Sequence, residues 1–310
     1  MASLSPGYRL LDLAARLEPG LGPERGPRMR AWLTAKTESH YARSAASEAV
    51  RLRRLIAGRE VLVVGSGPSL NQVTPGQFDR LAERFFVIGV NRTFYRARLH
   101  LFLSAYPSEQ CLAGLYPRRA PLRIQIRPRS FIPVIGGTWG WRRILMEPGQ
   151  PVDDLGKGQP PIIRTKLNVV IGATDLAVRL GATAVWYLGI EQNNQAHYYD
   201  TDETLRRRII DDLLRFRHLD PAMTVDHQYS DIGTMVERLR KPVEQWLDQP
   251  FYDQDHRESI RTLFESYAER GAAFYSIGEN TVIARAGAGV RGLSDALGPP
   301  ADSAARPGKT

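Results

Sequence analysis

The stretch GREVLVVGSGPSLN, from Gly58 to Asn71, decides the fold, because it reads as a buried strand running straight into a turn suited to a phosphorylated ligand. Val61 to Val64 supply the strand. Gly65 and Gly67 permit dihedrals and a close ligand approach that a side chain would obstruct. Pro68 fixes one backbone angle and lacks an amide hydrogen, which suits the first position of a helix. Ser66 and Ser69 add hydroxyls to the same turn. Exposed amides at such a helix start favour an anion. The turn is neither the G-x-G-x-x-G dinucleotide signature nor a P-loop, whose lysine it lacks, and tight-turn geometry alone is the competing reading.

Working outward, Phe85 to Val90 reads as a second buried strand ending at Asn91, and Leu99 to Ser104 as a third. The spacing predicts a helix over Val169 to Leu180, closed by Gly181, then a strand over Ala184 to Leu188. Helical candidates follow at 203–219, 232–246 and Arg257 to Arg270, with Ala272 to Ser276 as the last inner strand and Val282 to Ala284 finishing the edge. Short apolar strands alternating with helices predict an α/β fold, a Rossmann-like, mostly parallel sheet flanked by helices. Open parallel sheets bind ligands beyond the carboxyl ends of their strands, so the loop GIEQNNQAHYYDTDE after Leu188 is the second candidate element.

Between Pro107 and Pro161 prolines and glycines interrupt every long pattern, which predicts an irregular inserted lid. Trp139 and Trp141 are two apart and either stack on a ligand or fill the lid's own core; Arg127 and Arg129 either meet an acidic group or face solvent. The predicted organisation is a leader and helical segment over 1–57, an α/β domain over 58–286 with its insertion at about 107–161, and a flexible tail over 287–310. Within the first part, the periodicity predicts a short helix around Leu10 to Leu17 and a longer one from Met29 to Ile56.

Hydrophobic residues at 43% support a folded chain, and the single Cys111 rules out an internal disulfide and thiolate zinc clusters. A reducing, cytoplasmic setting fits this usage. No continuous apolar segment reads as a secretory signal or a spanning helix. Forty-two Lys plus Arg against thirty-three Asp plus Glu gives +9, a preference for anionic partners: nucleic acid, an anionic surface bound peripherally, or a nucleotide-linked substrate.

The ordered set GSGPSL, GVNRTFY, WYLGIEQNNQAHYYDT and FYSIGENTVI resembles, over residues 58–285, bacterial sialyltransferases of glycosyltransferase family 42 and related uncharacterised proteins that share their nucleotide-binding core. The resemblance implies a CMP-linked sugar as donor substrate, transfer to a hydroxylated acceptor without a metal or further cofactor, and a histidine general base. It implies donor contacts from Gly65, Ser66, Gly67, Pro68, Ser69 and Asn91, and phosphate contacts from Tyr198 and Tyr199. The base position falls on His256, ahead of the penultimate helix and strand. Where the family has a Thr/Ser-Gly element before its middle helix, this chain has Leu167, Asn168 and Val169, and Asn168 is counted with the donor set. Related proteins outside the sialyltransferases include a pterin pyrophosphokinase, which implies metal-dependent phosphoryl transfer as an alternative.

The residue chemistry is compatible with transfer on its own terms. Histidine titrates near 6.5, which suits a base that takes the acceptor's proton, and tyrosine hydroxyls can donate to a departing phosphate. His256 has Asp253, Asp255 and Glu258 beside it to orient the ring or merely to share its surface. His197, next to Tyr198, competes for the role of base, with substrate positioning as its other reading. Glu191 and Asp200 offer a carboxylate pair for Mg in a phosphoryl transferase, or simply cap and solvate their loop. A binding protein that keeps the phosphate turn without catalysis is the non-enzymatic reading, and nucleic acid is also a candidate sugar acceptor.

Overall fold

The structure is a computed structural model that describes residues 28, 50–104, 107–128, 141–146, 162–163, 169–191, 197–217, 232–242, 244, 253–269 and 271–298. The leader, most of the helix expected from Met29 to Ile56, Arg129, Trp139 and Asn168 lie outside the described residues, as do the side chains of Arg127, Trp141 and His256.

The strands are β1 (Glu60–Val64), β2 (Phe86–Val90), β3 (Leu101–Ser104), β4 (Leu122–Pro128), β5 (Trp141–Met146), β6 (Ile162–Ile163), β7 (Ala184–Leu188), β8 (Ala273–Ile277) and β9 (Gly289–Arg291). They form one nine-stranded sheet in the order β6-β5-β4-β3-β2-β1-β7-β8-β9. Every pairing is parallel. The helices are α1 (Pro75–Arg84), α2 (Pro107–Gly114), α3 (Val169–Arg179), α4 (Glu203–Leu214), α5 (Ile232–Arg240), α6 (Asp253–Ala268), α7 (Val282–Arg285) and α8 (Leu293–Leu297). A mostly parallel sheet between helices is the Rossmann-like arrangement the alternating pattern predicts.

The period of two along β1 explains the layering. Leu62 and Val64 point into one core with Phe78 and Leu81 of α1, Leu112 of α2, Ile209 and Leu213 of α4 and Val236 of α5. Val61 and Val63 point into the other, with Ile171 and Leu176 of α3 and Ile260 and Leu263 of α6. A strand buried on both faces must be apolar at every position, and Val61 to Val64 are each 0% exposed. The chain moves outward from β1 to β2 in one direction and from β7 to β8 in the other, so right-handed crossovers send α1 and α6 to opposite faces. The sequence order therefore reverses between β1 and β7, which makes the crevice beyond their carboxyl ends the topological switch point.

Three expectations change. The segment read as an irregular lid contributes α2 and the strands β4 and β5, because β3, β4 and β5 pair in register through Arg123↔Trp141 to Pro128↔Met146 despite the flanking prolines. Val282 to Ala284 is the first part of α7 rather than an edge strand: Thr281 accepts from the Ala284 amide and caps a helical turn. The tail expected to be flexible from 287 is structured through Gly298, since β9 pairs with β8 and α8 docks on α1. Arg84 Nη1 donates to the Ala296 carbonyl at 2.8 Å and Arg80 Nη2 to the Leu297 carbonyl at 3.1 Å. Carbonyls at the end of α8 thereby gain cationic donors, which a short helix needs most.

Candidate active site

At the switch point the turn after β1 and the loop after β7 interlock through the backbone. Gly65 donates its amide to the Leu188 carbonyl at 2.8 Å, and Gly67 donates to Gly189 at 2.7 Å. The close approach explains both glycines. A Cβ on Gly65 would stand 2.4 Å from the Gly189 carbonyl oxygen, and one on Gly67 would stand 1.6 Å from Glu191 Oε2. Neither needs a left-handed dihedral: Gly67 sits at φ −70°, ψ 164°, and the positive φ in this pair of segments belongs to Gly189, at 72°. The dihedral part of the sequence expectation for Gly65 and Gly67 is corrected accordingly, while the need for close approach stands, with the chain's own residues as the neighbours.

Pro68 opens a short 3-10 helix, Pro68–Gln72, at its first position. The Ser69 amide at its start donates to Glu191 Oε1 at 3.2 Å. A carboxylate of the protein thus stands where the sequence predicts an external anion. Its second oxygen, Oε2, and the Ser69 hydroxyl are both buried without hydrogen-bond partners among the described residues.

The turn His197 to Thr201 packs against the glycine-rich turn and is joined to it by hydrogen bonds between residues far apart in the chain. The His197 amide donates to Asp200 Oδ2, and the Tyr198 amide donates to the Ser66 carbonyl at 2.9 Å. Asn71 Nδ2 donates to the Tyr198 carbonyl at 3.0 Å. The Ser66 hydroxyl pairs with His197 Nδ1 at 3.0 Å, and the half-buried His197 ring stacks on Tyr199 at 4.9 Å between centroids. Burial, then the Arg238 and Arg92 charges, hold His197 well below the ordinary histidine range, so it is neutral at pH 7. A neutral imidazole tied to a hydroxyl and stacked on a ring orients groups well and accepts a proton poorly.

The two tyrosines differ. Tyr198, fully buried, donates its hydroxyl to the Arg92 carbonyl at 2.8 Å, which commits its proton within the fold. Tyr199 accepts from Arg92 Nη1 at 2.7 Å and keeps its own proton available for donation. Burial raises the Tyr199 hydroxyl to about 12, so it remains protonated. Asn91, at the end of β2, adopts φ 57°, the left-handed conformation that asparagine tolerates best after glycine. The sharp turn there is followed directly by Arg92, whose side chain reaches the Tyr199 hydroxyl and the Met235 thioether. Burial works against the Arg92 charge, and Tyr199, Glu109 and Tyr95 outweigh it, so the guanidinium stays cationic.

The structure thus brings Gly65, Ser66, Gly67, Pro68, Ser69, Asn91, Tyr198 and Tyr199 to the carboxyl ends of β1, β2 and β7. His256 is in the first turn of α6, whose 16 residues span roughly 24 Å. Because α6 returns to the start of β8, that first turn lies toward the carboxyl side of the sheet. Sequence reasoning missed Arg92, one residue past the chosen Asn91, and missed Glu191 as the partner of the turn. The signals were an Arg directly after a strand-ending Asn and an acidic residue following a strand-ending Gly-Ile. Among the described residues no group of three His, Cys, Asp or Glu side chains is arranged to hold a metal ion, and no helix is long and apolar enough to cross a membrane. No family model matches the sequence, and no curated protein matches it as a relative.

Proposed function

We propose that this chain transfers a sugar from a nucleotide-activated donor, preferably CMP-linked, to a hydroxyl acceptor without a metal. The carrying observation is the continuous constellation at the switch point, in which Ser66, His197, Tyr199 and Arg92 link the end of β1 to the end of β2 through the loop after β7. The sheet topology supports donor binding at that switch point. Tyr199, protonated and beside a cation, is the group suited to donate to the leaving phosphate. His256 supplies the base in this reading, and the neutral, tethered His197 positions donor or acceptor. The cytoplasm, with nucleic acid or another anionic polymer as one acceptor class, is the setting we assign.

The test is incubation of the chain with a panel of nucleotide sugars and hydroxylated acceptors in chelator, followed by mass spectrometry of the products. Transfer from a CMP-sugar is expected. In the His256→Ala variant kcat should fall by about 10²–10⁴-fold with donor binding preserved, and the His197→Ala variant should lose less in the chemical step. ATP-dependent diphosphate transfer that requires Mg, with no sugar transfer, would replace this reading by the phosphoryl-transferase one.

A further inference from the structure

The glycine-rich turn is the expected seat of the ligand's phosphate, yet its Ser69 amide is already bonded to the Glu191 carboxylate. An anion brought to that turn would meet a negative group head on. A few residues away the situation is reversed. Arg92 is 8% exposed, and its Nε has no hydrogen-bond partner among the described residues. Among the described residues its Nη1 meets the neutral hydroxyl of Tyr199, and its Nη2 meets only the thioether of Met235, a weak acceptor. Glu109 contributes from a distance: burial raises its pKa, and its Oε2 accepts from the Ser104 hydroxyl at 2.8 Å. No carboxylate pairs directly with Arg92 among the described residues.

A buried guanidinium whose charge is balanced only from a distance, with neutral groups on its Nη atoms, keeps donor capacity for an anion that comes into contact. Arginine's planar fork is moreover the group that matches phosphate oxygens in pairs, and its Nε is one arm of that fork. Position adds a second argument. Arg92 follows Asn91, whose φ of 57° turns the chain at the carboxyl end of β2, and its side chain contacts the same Tyr199 that stacks on His197. The cation and the phenol that would serve a leaving group are thereby adjacent.

We infer that Arg92, rather than the glycine-rich turn, is the counter-charge for the ligand's phosphate, with Glu191 on the turn accepting from ligand hydroxyls instead. This rests on placing a nucleotide at the switch point, and not on whether sugar transfer follows. The ligand chemistry is a phosphate monoester or diphosphate joined to a hydroxyl-bearing unit such as ribose. Glu191 Oε2, a buried carboxylate oxygen without a partner among the described residues, is the acceptor such a hydroxyl would meet.

Calorimetric titration of the full chain with sodium pyrophosphate, CMP and cytidine, without divalent metal, tests this. The wild type should bind CMP more tightly than cytidine by about ten- to a hundredfold, as charge-assisted hydrogen bonds would give, and should bind pyrophosphate. Arg92→Gln should abolish pyrophosphate binding and bring CMP to the cytidine level. Arg92→Lys, which keeps the charge and the fold but loses the fork, should weaken pyrophosphate by about tenfold, and it carries the test if the Gln variant does not fold. Unchanged discrimination between CMP and cytidine in a folded Arg92 variant, or a wild type that shows none, overturns the inference. Arg92-dependent pyrophosphate binding by a chain that transfers no sugar would sink only the transferase reading. Sugar transfer with Arg92-independent phosphate recognition would sink only this one.

Discussion

Gly67→Ala separates steric from conformational reasons for the glycine-rich turn. At φ −70° and ψ 164° alanine suffers no backbone strain, so any cost must come from its Cβ. That atom would stand 1.6 Å from Glu191 Oε2 and 2.8 Å from the Gly189 carbonyl oxygen. The carboxylate has to leave, which combines an overpacking cost of about 1–3 kcal/mol with the loss of its bond to the Ser69 amide, about 1–2 kcal/mol. Glu191→Ala alone forfeits only the bond. In the double variant the clash with the carboxylate is gone and only the carbonyl contact persists. The two changes should therefore combine to less than their sum, by about 1–3 kcal/mol. Urea denaturation of the four proteins, followed by tryptophan fluorescence, measures the coupling. Additivity within about 0.5 kcal/mol would show that Glu191 does not occupy the space above Gly67 in solution, and would reopen the turn as an empty anion seat.

Two further outcomes follow from buried polar groups. Burial raises Asp200 to about 6, against an unfolded value of 3.8, so the folded state binds the proton more tightly and stability falls as pH rises from about 4 to about 6. Asp200→Asn should flatten that fall, by up to about 3 kcal/mol across the window, in denaturation curves recorded at a series of pH values; an unchanged slope would refute the buried placement. Asp212 Oδ2 accepts the hydroxyls of Tyr95, at 2.9 Å, and Tyr116. Asp212→Ala strands the buried Tyr95 hydroxyl and should cost about 2–4 kcal/mol in the same assay, and adding Tyr95→Phe should then cost little more. A loss under about 0.5 kcal/mol would count against that network.

The legible part of this protein was carried by patterns that work over a few residues. Runs such as Val61 to Val64 and Ala184 to Leu188 are apolar throughout because both faces of a central parallel strand are covered, and each was found within a residue or two of its boundaries. Pro68 marked a helix start for a reason internal to proline. The same logic failed between Pro107 and Pro161, where breakers mask strands whose apolar content is modest but whose backbone is held by neighbours in the sheet. It failed again after Gly287, where a five-residue helix is held by arginines of α1 that reach its carbonyls and by burial of Ala296 in the core.

The sequence alone determined that a parallel α/β sheet forms, that a glycine-rich turn follows its first strand, and that polar and aromatic residues follow the strand at 184–188. Only the tertiary structure decided what the turn touches. Ser66 and His197 are 131 residues apart and Ser69 and Glu191 are 122 apart, yet each pair is within hydrogen-bonding distance because β1 and β7 are neighbours in register. Strand order is set by crossover handedness and by the burial of whole faces, a property of all the elements together, and no local stretch of residues encodes which distant loop will end beside it. A glycine at position 67 says that something comes close; which atom comes close is a consequence of the sheet.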